Sequence, residues 1–218
     1  MKISAVIVAK KESKRLPNKN MLPFGNSTIL GHKILQLSKC KKIDEVVVGS
    51  NCEEILNYSD SLGARTARRP DEYCDEDNCS ANSMIWNMCC LIETDVVVWA
   101  HCTNPLIKPR TYDNAVECFL TRGHNDSLLS VDILQEHIWS EESKPLNYNP
   151  WQGRHPLAKE LPKMYKQNGA IFIQKHKQMK ENRYFFGKKP YLFVTPEAES
   201  IDINTERDYR ISKFFKIN

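Results

Sequence analysis

Residues 3 to 20 read Ile-Ser-Ala-Val-Ile-Val-Ala-Lys-Lys-Glu-Ser-Lys-Arg-Leu-Pro-Asn-Lys-Asn. The apolar run at the start predicts a buried β-strand over 3–9, and the stretch from Lys10 to Lys19 then carries five cations and no glycine. A strand that ends in a cationic loop is where open α/β sheets bind ligands, and this charge suits a polyanion such as a nucleoside triphosphate. A solvated basic loop is the alternative. The position directly after the first strand favours phosphate binding.

The rest of the chain repeats this arrangement of apolar strands and amphipathic helices. Strands are predicted over 3–9, 45–50, 95–100, 127–133, 169–174 and 191–195, and helices over 28–39, 53–62, 80–94, 108–120 and 205–216. Continuous β-branched runs such as Val46-Val47-Val48 suit a parallel sheet that is covered on both faces. The alternation predicts an α/β fold with a doubly wound, mostly parallel sheet.

One segment interrupts the alternation. Residues 134–167 hold four prolines, with aromatic and basic side chains interleaved among them. A long irregular segment within a compact chain is usually a functional loop, a flap or an oligomer arm. We therefore expect one domain over 1–218, with 134–167 as an arm for dimerisation or for the acceptor site.

Composition excludes several classes of protein. The net charge of +4 is mild and interspersed, so it does not predict a nucleic-acid partner, and no apolar run approaches a membrane span. The start has no signal-peptide pattern and the eight cysteines form no C-x-x-C pair, so reduced thiols and a cytoplasmic location are expected. Because no glycine precedes Gly25, neither a P-loop nor a G-x-G-x-x-G motif can follow the first strand.

The cationic loop also resembles a known signature. Ser-Lys-Arg-Leu-Pro-Asn-Lys-Asn, residues 13–20, is similar to the N-terminal motif of the acylneuraminate cytidylyltransferases, the CMP-sialic acid synthetases. Four further stretches agree with that family in order and spacing: Arg69-Pro70 ahead of a helix capped by Ser80, Thr103-Asn104-Pro105-Leu106 after the third strand, Asn168-Gly169-Ala170-Ile171, and Ser200-Ile201-Asp202-Ile203-Asn204-Thr205-Glu206.

The resemblance implies a dimeric nucleotidyltransferase with a Rossmann-like sheet of the nucleotide-diphospho-sugar transferase type. It would move CMP from CTP onto an acidic nonulosonate-type sugar and release pyrophosphate. On the matching positions, the nucleotide would be bound by Ala9, Lys10, Lys14, Lys19, Asn20, Arg69 and Ser80. Mg²⁺ would be held by Asp202 with Asn204, and the catalytic set would be Lys10, Lys14, Lys19 and Asp202. Asp202 could instead merely precede a helix cap, since Thr205 and Asp208 resemble a capping box.

The chain departs from the family pattern at a few site positions. At the nucleotide and metal site, Lys10 stands where the family usually has an arginine, and Asn204 stands where it commonly has a second aspartate. At the sugar site, His101 stands where the family has a glutamine that contacts the sugar, and Lys166 stands where it has an arginine that binds the sugar carboxylate. Because an acidic sugar needs a cation, the acceptor candidates are His101, Arg154, His155, Lys159 and Lys166, with Asn168 from the matched strand. The altered sugar end leaves three alternatives open: another nonulosonic acid, a 3-deoxy-manno-octulosonate or phosphorylated sugar or polyol, and a catalytically weakened nucleotide-binding member.

Overall fold

The computed structural model describes residues 1–11, 13, 15–75 and 77–217. The strands in chain order are β1 Ile3–Val8, β2 Pro23–Phe24, β3 Ser27–Thr28, β4 Glu45–Ser50, β5 Arg65–Arg68, β6 Val96–Ala100, β7 Ser127–Leu134, β8 Met164–Lys175 and β9 Pro190–Val194. The helices are α1 Ile29–Leu37, α2 Glu53–Ser61, α3 Ala81–Cys90, α4 Pro109–Thr121, α5 His176–Asn182 and α6 Glu206–Ile217.

Within the described residues, seven strands form one sheet in the order β5-β4-β1-β6-β8-β7-β9. The first four are parallel, β8 runs antiparallel to both β6 and β7, and β9 is parallel to β7. Ala5 at the centre of β1 pairs with Val46 on one side and Val98 on the other. The predicted α/β class, with a doubly wound and mostly parallel sheet, is confirmed.

The sheet is buried on both faces, which explains its unbroken apolar strands. Alternate residues of β1 enter two separate hydrophobic clusters, with Ala5 and Ile7 on one side and Val6 on the other. Helices α1 and α4 contribute to the first cluster, and α3 and α5 to the second. The carboxyl ends of β1, β4 and β6 therefore meet at one edge between these two layers.

Helix ends follow the local signals in the sequence. The hydroxyl oxygens of Thr28 and Ser80 accept the N–H of Gly31 at 2.9 Å and of Ser83 at 3.1 Å, so they cap α1 and α3. Gly63 follows α2 with a φ of +82°, the left-handed conformation that glycine adopts most easily.

Other features differ from the prediction. The hairpin β2–β3 and helix α5 were not predicted, and α3 ends at Cys90 rather than near residue 94. Strand β8 begins at Met164, five residues before the predicted 169. Its first four residues pair with β7 beyond a register shift, and all of them are exposed, so hydrophobic periodicity does not mark them. The irregular arm therefore covers 135–163 rather than 134–167.

The described helices are each too short, or too polar, to cross a bilayer.

Candidate active site

A cavity of about 440 Å³ opens at the carboxyl edge of the parallel strands. It collects residues from the end of β1, from the cationic loop, from the segment after β5 and from the turn after β6. The polar residues that line the cavity and matter for its chemistry are Lys10, Arg15, Lys19, Asn20, Arg69, Tyr73, His101, Cys102 and Thr103. The predicted cationic loop and the predicted base-binding arginine thus lie in one cavity.

Asn20 anchors the cationic loop beneath this cavity. Its side-chain amide donates to the Lys10 carbonyl at 2.8 Å, and its oxygen accepts from the Cys102 thiol at 3.0 Å. Burial raises the pKa of Cys102 to about 11, so the thiol stays protonated and able to donate. The loop turns through Asn18 in a left-handed conformation, with φ of 51°, which asparagine tolerates and which replaces a glycine turn.

The lysines of the loop are placed differently. Lys10 lies on the cavity wall, and Lys19 donates from Nζ to the Ile203 carbonyl at 2.9 Å. This bond ties the loop to the segment that carries Asp202. Lys14, a predicted catalytic residue, lies outside the described residues. Ala9 is buried and donates its N–H to the Gly49 carbonyl at 3.0 Å, so contact with a base through Ala9 would use its own carbonyl.

Arg69, which also lines the cavity, is held by two hydrogen bonds. It is only 2% exposed and donates to Asn87 Oδ1 at 3.1 Å and to the Tyr73 carbonyl at 2.7 Å. Burial lowers the pKa of Arg69, but arginine remains charged in proteins. Gly49 makes room for it, because a Cβ there would lie 2.9 Å from the Arg69 Cδ.

Ser80, the other predicted nucleotide contact, lies at the rim. Its neighbours Cys79 and Ala81 line the cavity, whereas its own side chain is exposed and caps α3. A role for Ser80 in binding ribose stays a prediction.

His101 is held as one neutral tautomer. Trp99 donates its indole N–H to His101 Nε2 at 3.2 Å, so the proton of the imidazole lies on Nδ1, which faces the Gly169 carbonyl at 2.7 Å. Burial lowers the pKa of His101, in agreement with this neutral form. Both ring nitrogens are therefore engaged within the protein. In this geometry His101 is a neutral side chain in the wall of the cavity, whereas an acidic sugar requires a cation. The predicted contact between His101 and the sugar stays a prediction.

Asp202 lies next to the turn after β6. The Ile203 N–H donates to the Thr103 carbonyl at 2.8 Å, and Asn204 Nδ2 donates to Asp202 Oδ2 at 2.6 Å. Among the described residues, Asp202 Oδ1 is buried and has no hydrogen-bond partner. Asp208 also caps the next turn, because it accepts the Thr205 N–H at 2.8 Å. The predicted helix cap is therefore present, and it leaves the Asp202 carboxylate available for a second role.

This oxygen-rich segment fits a hard divalent cation. The described residues contain no cluster of three or more His, Cys, Asp or Glu side chains that could hold a metal. Magnesium commonly takes one or two protein carboxylates and completes its shell with substrate phosphates and water. A single aspartate next to a cavity that several cationic side chains line fits this coordination preference.

One predicted acceptor residue, Lys166, lines a second pocket on the ribbon that β7 and β8 extend past β6. Asn168 does not line this pocket, but it is buried next to it and donates to two lining residues, to Asp132 Oδ1 at 2.8 Å and to the Thr195 hydroxyl at 2.7 Å. Lys166 lies 3.7 Å from Asp132 Oδ2, in a pocket of about 500 Å³. Asn168 also accepts from Asn104 Nδ2 at 3.4 Å through its carbonyl, which connects this ribbon to the turn after β6.

The remaining acceptor candidates lie on the arm. Arg154 forms two hydrogen bonds to Glu160, at 2.9 and 3.0 Å, and the carbonyl of Lys159 accepts from Gln135 at 3.2 Å. His155 stacks on His137 with ring centroids 4.4 Å apart. Arg154, His155 and Lys159 are exposed and line neither cavity of this chain.

Sequence reasoning missed several residues of the site. The sequence predicts no role for Cys102 beyond that of a reduced thiol, and it does not single out Asn87, Trp99 or Tyr73. Each of them forms a hydrogen bond to a predicted residue: Cys102 to Asn20, Asn87 and Tyr73 to Arg69, and Trp99 to His101. Only the position of Cys102, just after a predicted strand, carried a sequence signal.

Known proteins resemble this chain along its length. The cytidylyltransferase family profile matches residues 4–212. A CMP-N,N'-diacetyllegionaminic acid synthase of Legionella pneumophila is 30% identical over 100% of this chain and 98% of that protein. An N-acylneuraminate cytidylyltransferase A of Danio rerio is 26% identical over 97% of this chain, which spans 50% of that relative.

A solved structure shares the fold at lower identity. The CMP:2-keto-3-deoxy-manno-octonic acid synthetase complexed with CTP superposes with a TM-score of 0.72 at 13% identity, over 100% of this chain and 99% of the other. The family profile spans nearly the whole chain, and the Legionella relative aligns end to end with it. This chain belongs to the cytidylyltransferase family.

Proposed function

We propose that this protein transfers CMP from CTP to an acidic nonulosonate-type sugar, with release of pyrophosphate and with Mg²⁺ as the divalent metal. The observation that carries the proposal is one cavity that Lys10, Arg15, Lys19 and Arg69 line together, while Lys19 binds the Ile203 carbonyl next to Asp202. A triphosphate needs cationic side chains around its phosphates. A buried, hydrogen-bonded arginine in the same cavity suits recognition of the nucleoside.

The reaction requires little covalent chemistry from the protein. A hydroxyl oxygen of the acceptor bonds to the α-phosphorus, the bond from that phosphorus to the bridging β-oxygen breaks, and pyrophosphate leaves with the electron pair. The hydroxyl proton passes to solvent or to a nearby base. Lys10 and Lys19 would neutralise the charge that develops on the phosphate oxygens, and a magnesium ion held by Asp202 would add Lewis-acid stabilisation.

The relatives support the class of acceptor. Two of them act, by name, on nine-carbon acidic sugars. The runner-up is a smaller acceptor, such as 3-deoxy-manno-octulosonate or a phosphorylated sugar or polyol. A catalytically weakened member is the third candidate, because Lys10, His101 and Asn204 all depart from the family pattern.

The test is pyrophosphate release with Mg²⁺, in which CTP, UTP, GTP and ATP are crossed with N-acetylneuraminate, legionaminate, pseudaminate and 3-deoxy-manno-octulosonate. Each nucleotide without acceptor measures background hydrolysis. Release with CTP and one nine-carbon acid is the expected result. Release with octulosonate alone would establish the runner-up. If no pair releases pyrophosphate but CTP binding is measurable, the protein would be a catalytically weakened member of the family.

A homodimer formed through the arm belongs to the same proposal. The arm exposes large apolar side chains, among them Trp151 at 89%, Leu146 at 57%, Leu157 at 54% and Trp139 at 52%. Large apolar side chains that are exposed on one segment are candidates for an interface between proteins. Sedimentation equilibrium should give twice the chain mass of 25.3 kDa, and Trp151→Glu should lower that mass. A monomeric parent protein would contradict the dimer.

The proposed location is the cytoplasm. All eight cysteines are free thiols, as is usual in a reducing compartment. Fractionation of cells that produce the protein would test this location directly.

A further inference from the structure

Lys33 is a fully buried lysine on α1 that does not line the cavity. Its Nζ donates to the Asn104 carbonyl at 2.7 Å and lies 2.8 Å from the Tyr112 hydroxyl. No carboxylate of the described residues comes within ion-pair distance of it. Because an ammonium group loses much hydration energy on burial, an apolar side chain would be the ordinary occupant of such a position.

The carbonyl that Lys33 binds belongs to the turn after β6. Asn104 closes this turn by donating its N–H to the His101 carbonyl at 3.3 Å. One helical turn further along α1, Gln36 donates to the next carbonyl, that of Pro105, at 2.7 Å. Helix α1 therefore fixes two consecutive carbonyls of the turn.

The other side of this turn forms the candidate site. Cys102 and Thr103 line the cavity, and the Cys102 thiol holds Asn20 at 3.0 Å. The Thr103 carbonyl accepts the N–H of Ile203, the residue after Asp202, at 2.8 Å. The position of the turn thus sets the position of both Asn20 and Asp202.

We propose that Lys33 is a positioning residue for nucleotidyl transfer, which acts by fixing the turn of residues 101–104 and, through it, the Asp202 segment. This inference rests on the proposed function, since it assigns a role in that reaction. Lys33 would not touch the substrates. Its effect should therefore fall on turnover, which depends on the aim of Asp202, more than on the binding of CTP by the lysines of the cationic loop.

Lys33→Met tests the proposal because methionine nearly preserves the volume and removes the donor. We expect kcat to fall by ~10²-fold, as small misplacements at a remote support can do, while the KM for CTP stays within about threefold. Leu30→Ala is the matched control, since Leu30 is fully buried on the same helix and makes no bond to the turn. It should lower the thermal midpoint and leave kcat at 25 °C within about twofold.

Equal kcat in Lys33→Met and the parent, or equal losses in Lys33→Met and Leu30→Ala, would overturn the proposal. If Lys33→Met does not fold, Lys33→Gln decides, because its shorter side chain withdraws the donor from the Asn104 carbonyl and still places a polar group near the Tyr112 hydroxyl. A fall in kcat of about threefold or more supports the role, and an unchanged kcat overturns it.

Amide hydrogen exchange separates this inference from the proposed function. If the parent protein is inactive with every substrate pair, the proposed function fails first. Faster exchange at residues 101–104 and 202–204 in Lys33→Met, but not in Leu30→Ala, would still establish that Lys33 fixes the turn. Equal protection in both variants would overturn it.

Discussion

Asp202 keeps one carboxylate oxygen in a hydrogen bond to Asn204 and leaves the other buried without a partner among the described residues. An unpartnered buried acceptor costs free energy, so a folded chain rarely keeps one without use. A divalent cation would satisfy it directly. At the scale of single residues, this oxygen supports the proposal that Asp202 would hold the metal.

Asp202→Asn should lower kcat for pyrophosphate release by ~10²-fold or more, the usual cost of losing one electrostatic partner in such a site. Its thermal midpoint should not fall, because the substitution neutralises a partly buried charge. Glu206→Gln is the control, since Glu206 is an exposed neighbour that pairs with Arg210. Full turnover by Asp202→Asn would refute the metal role.

Lys33 should also make stability depend on pH. Burial lowers its pKa from 10.5 to about 7, so between pH 7 and 10.5 the unfolded chain holds a proton that the folded chain has released. The unfolding free energy should therefore rise with pH in this window, by up to ~1.4 kcal/mol per pH unit, and lose this contribution below pH 7.

Urea unfolding at pH 7 and at pH 9 measures this slope. The parent should gain more stability than Lys33→Met over that interval, since all other titrating groups are common to both. The same pH dependence in the two proteins would mean that folding does not lower the pKa of Lys33.

At the scale of elements, helix α3 depends on a residue that the family resemblance assigned to the nucleotide. Ser80 accepts the Ser83 N–H and thereby satisfies one of the helix's first free donors. The same helix carries Asn87, which holds Arg69. The cap therefore stabilises a support of the cavity.

Ser80→Ala should cost about 1 kcal/mol, which for a chain of this size lowers the thermal midpoint by roughly 2–4 °C. Ser80→Asp should restore the midpoint, because aspartate is an equally good cap. Differential scanning calorimetry distinguishes them. An unshifted midpoint in Ser80→Ala would mean that α3 needs no cap.

At the scale of the whole molecule, the cavity joins segments that are far apart in sequence. Lys19 binds the carbonyl of a residue 184 positions away, and Cys102 binds Asn20 across 82 positions. A nucleotide that fills the cavity would contact several of these segments together, and so should oppose global unfolding.

CTP with Mg²⁺ should therefore raise the thermal midpoint. At about one hundred times its Kd, a ligand adds ~2.7 kcal/mol, or roughly 5–11 °C here. Scanning fluorimetry with each of the four nucleotides is sufficient, and ATP is the matched control of equal charge. An equal shift with ATP would contradict selectivity for CTP.

The sequence by itself determined the sheet, the central strands and the helix caps. Hydrophobic runs such as 45–50 and caps such as Ser80 act over a few residues, so they are visible without the fold. It also determined the neighbourhood of the site, because the carboxyl ends of parallel strands meet at one edge. The family motifs then indicated Lys19, Arg69 and Asp202.

Only the tertiary structure decided what those residues do to one another. The tautomer of His101 depends on Trp99 and on Gly169, 68 residues away, and the burial of Arg69 depends on the small Gly49 beside it. Nothing in the local sequence distinguishes Lys33 from other helix residues, because its partner Asn104 lies 71 positions away and only the fold brings the two together. Burial and hydrogen bonds between distant segments determine the pKa values and the orientation of these side chains. No local sequence pattern predicts which segments will come into contact.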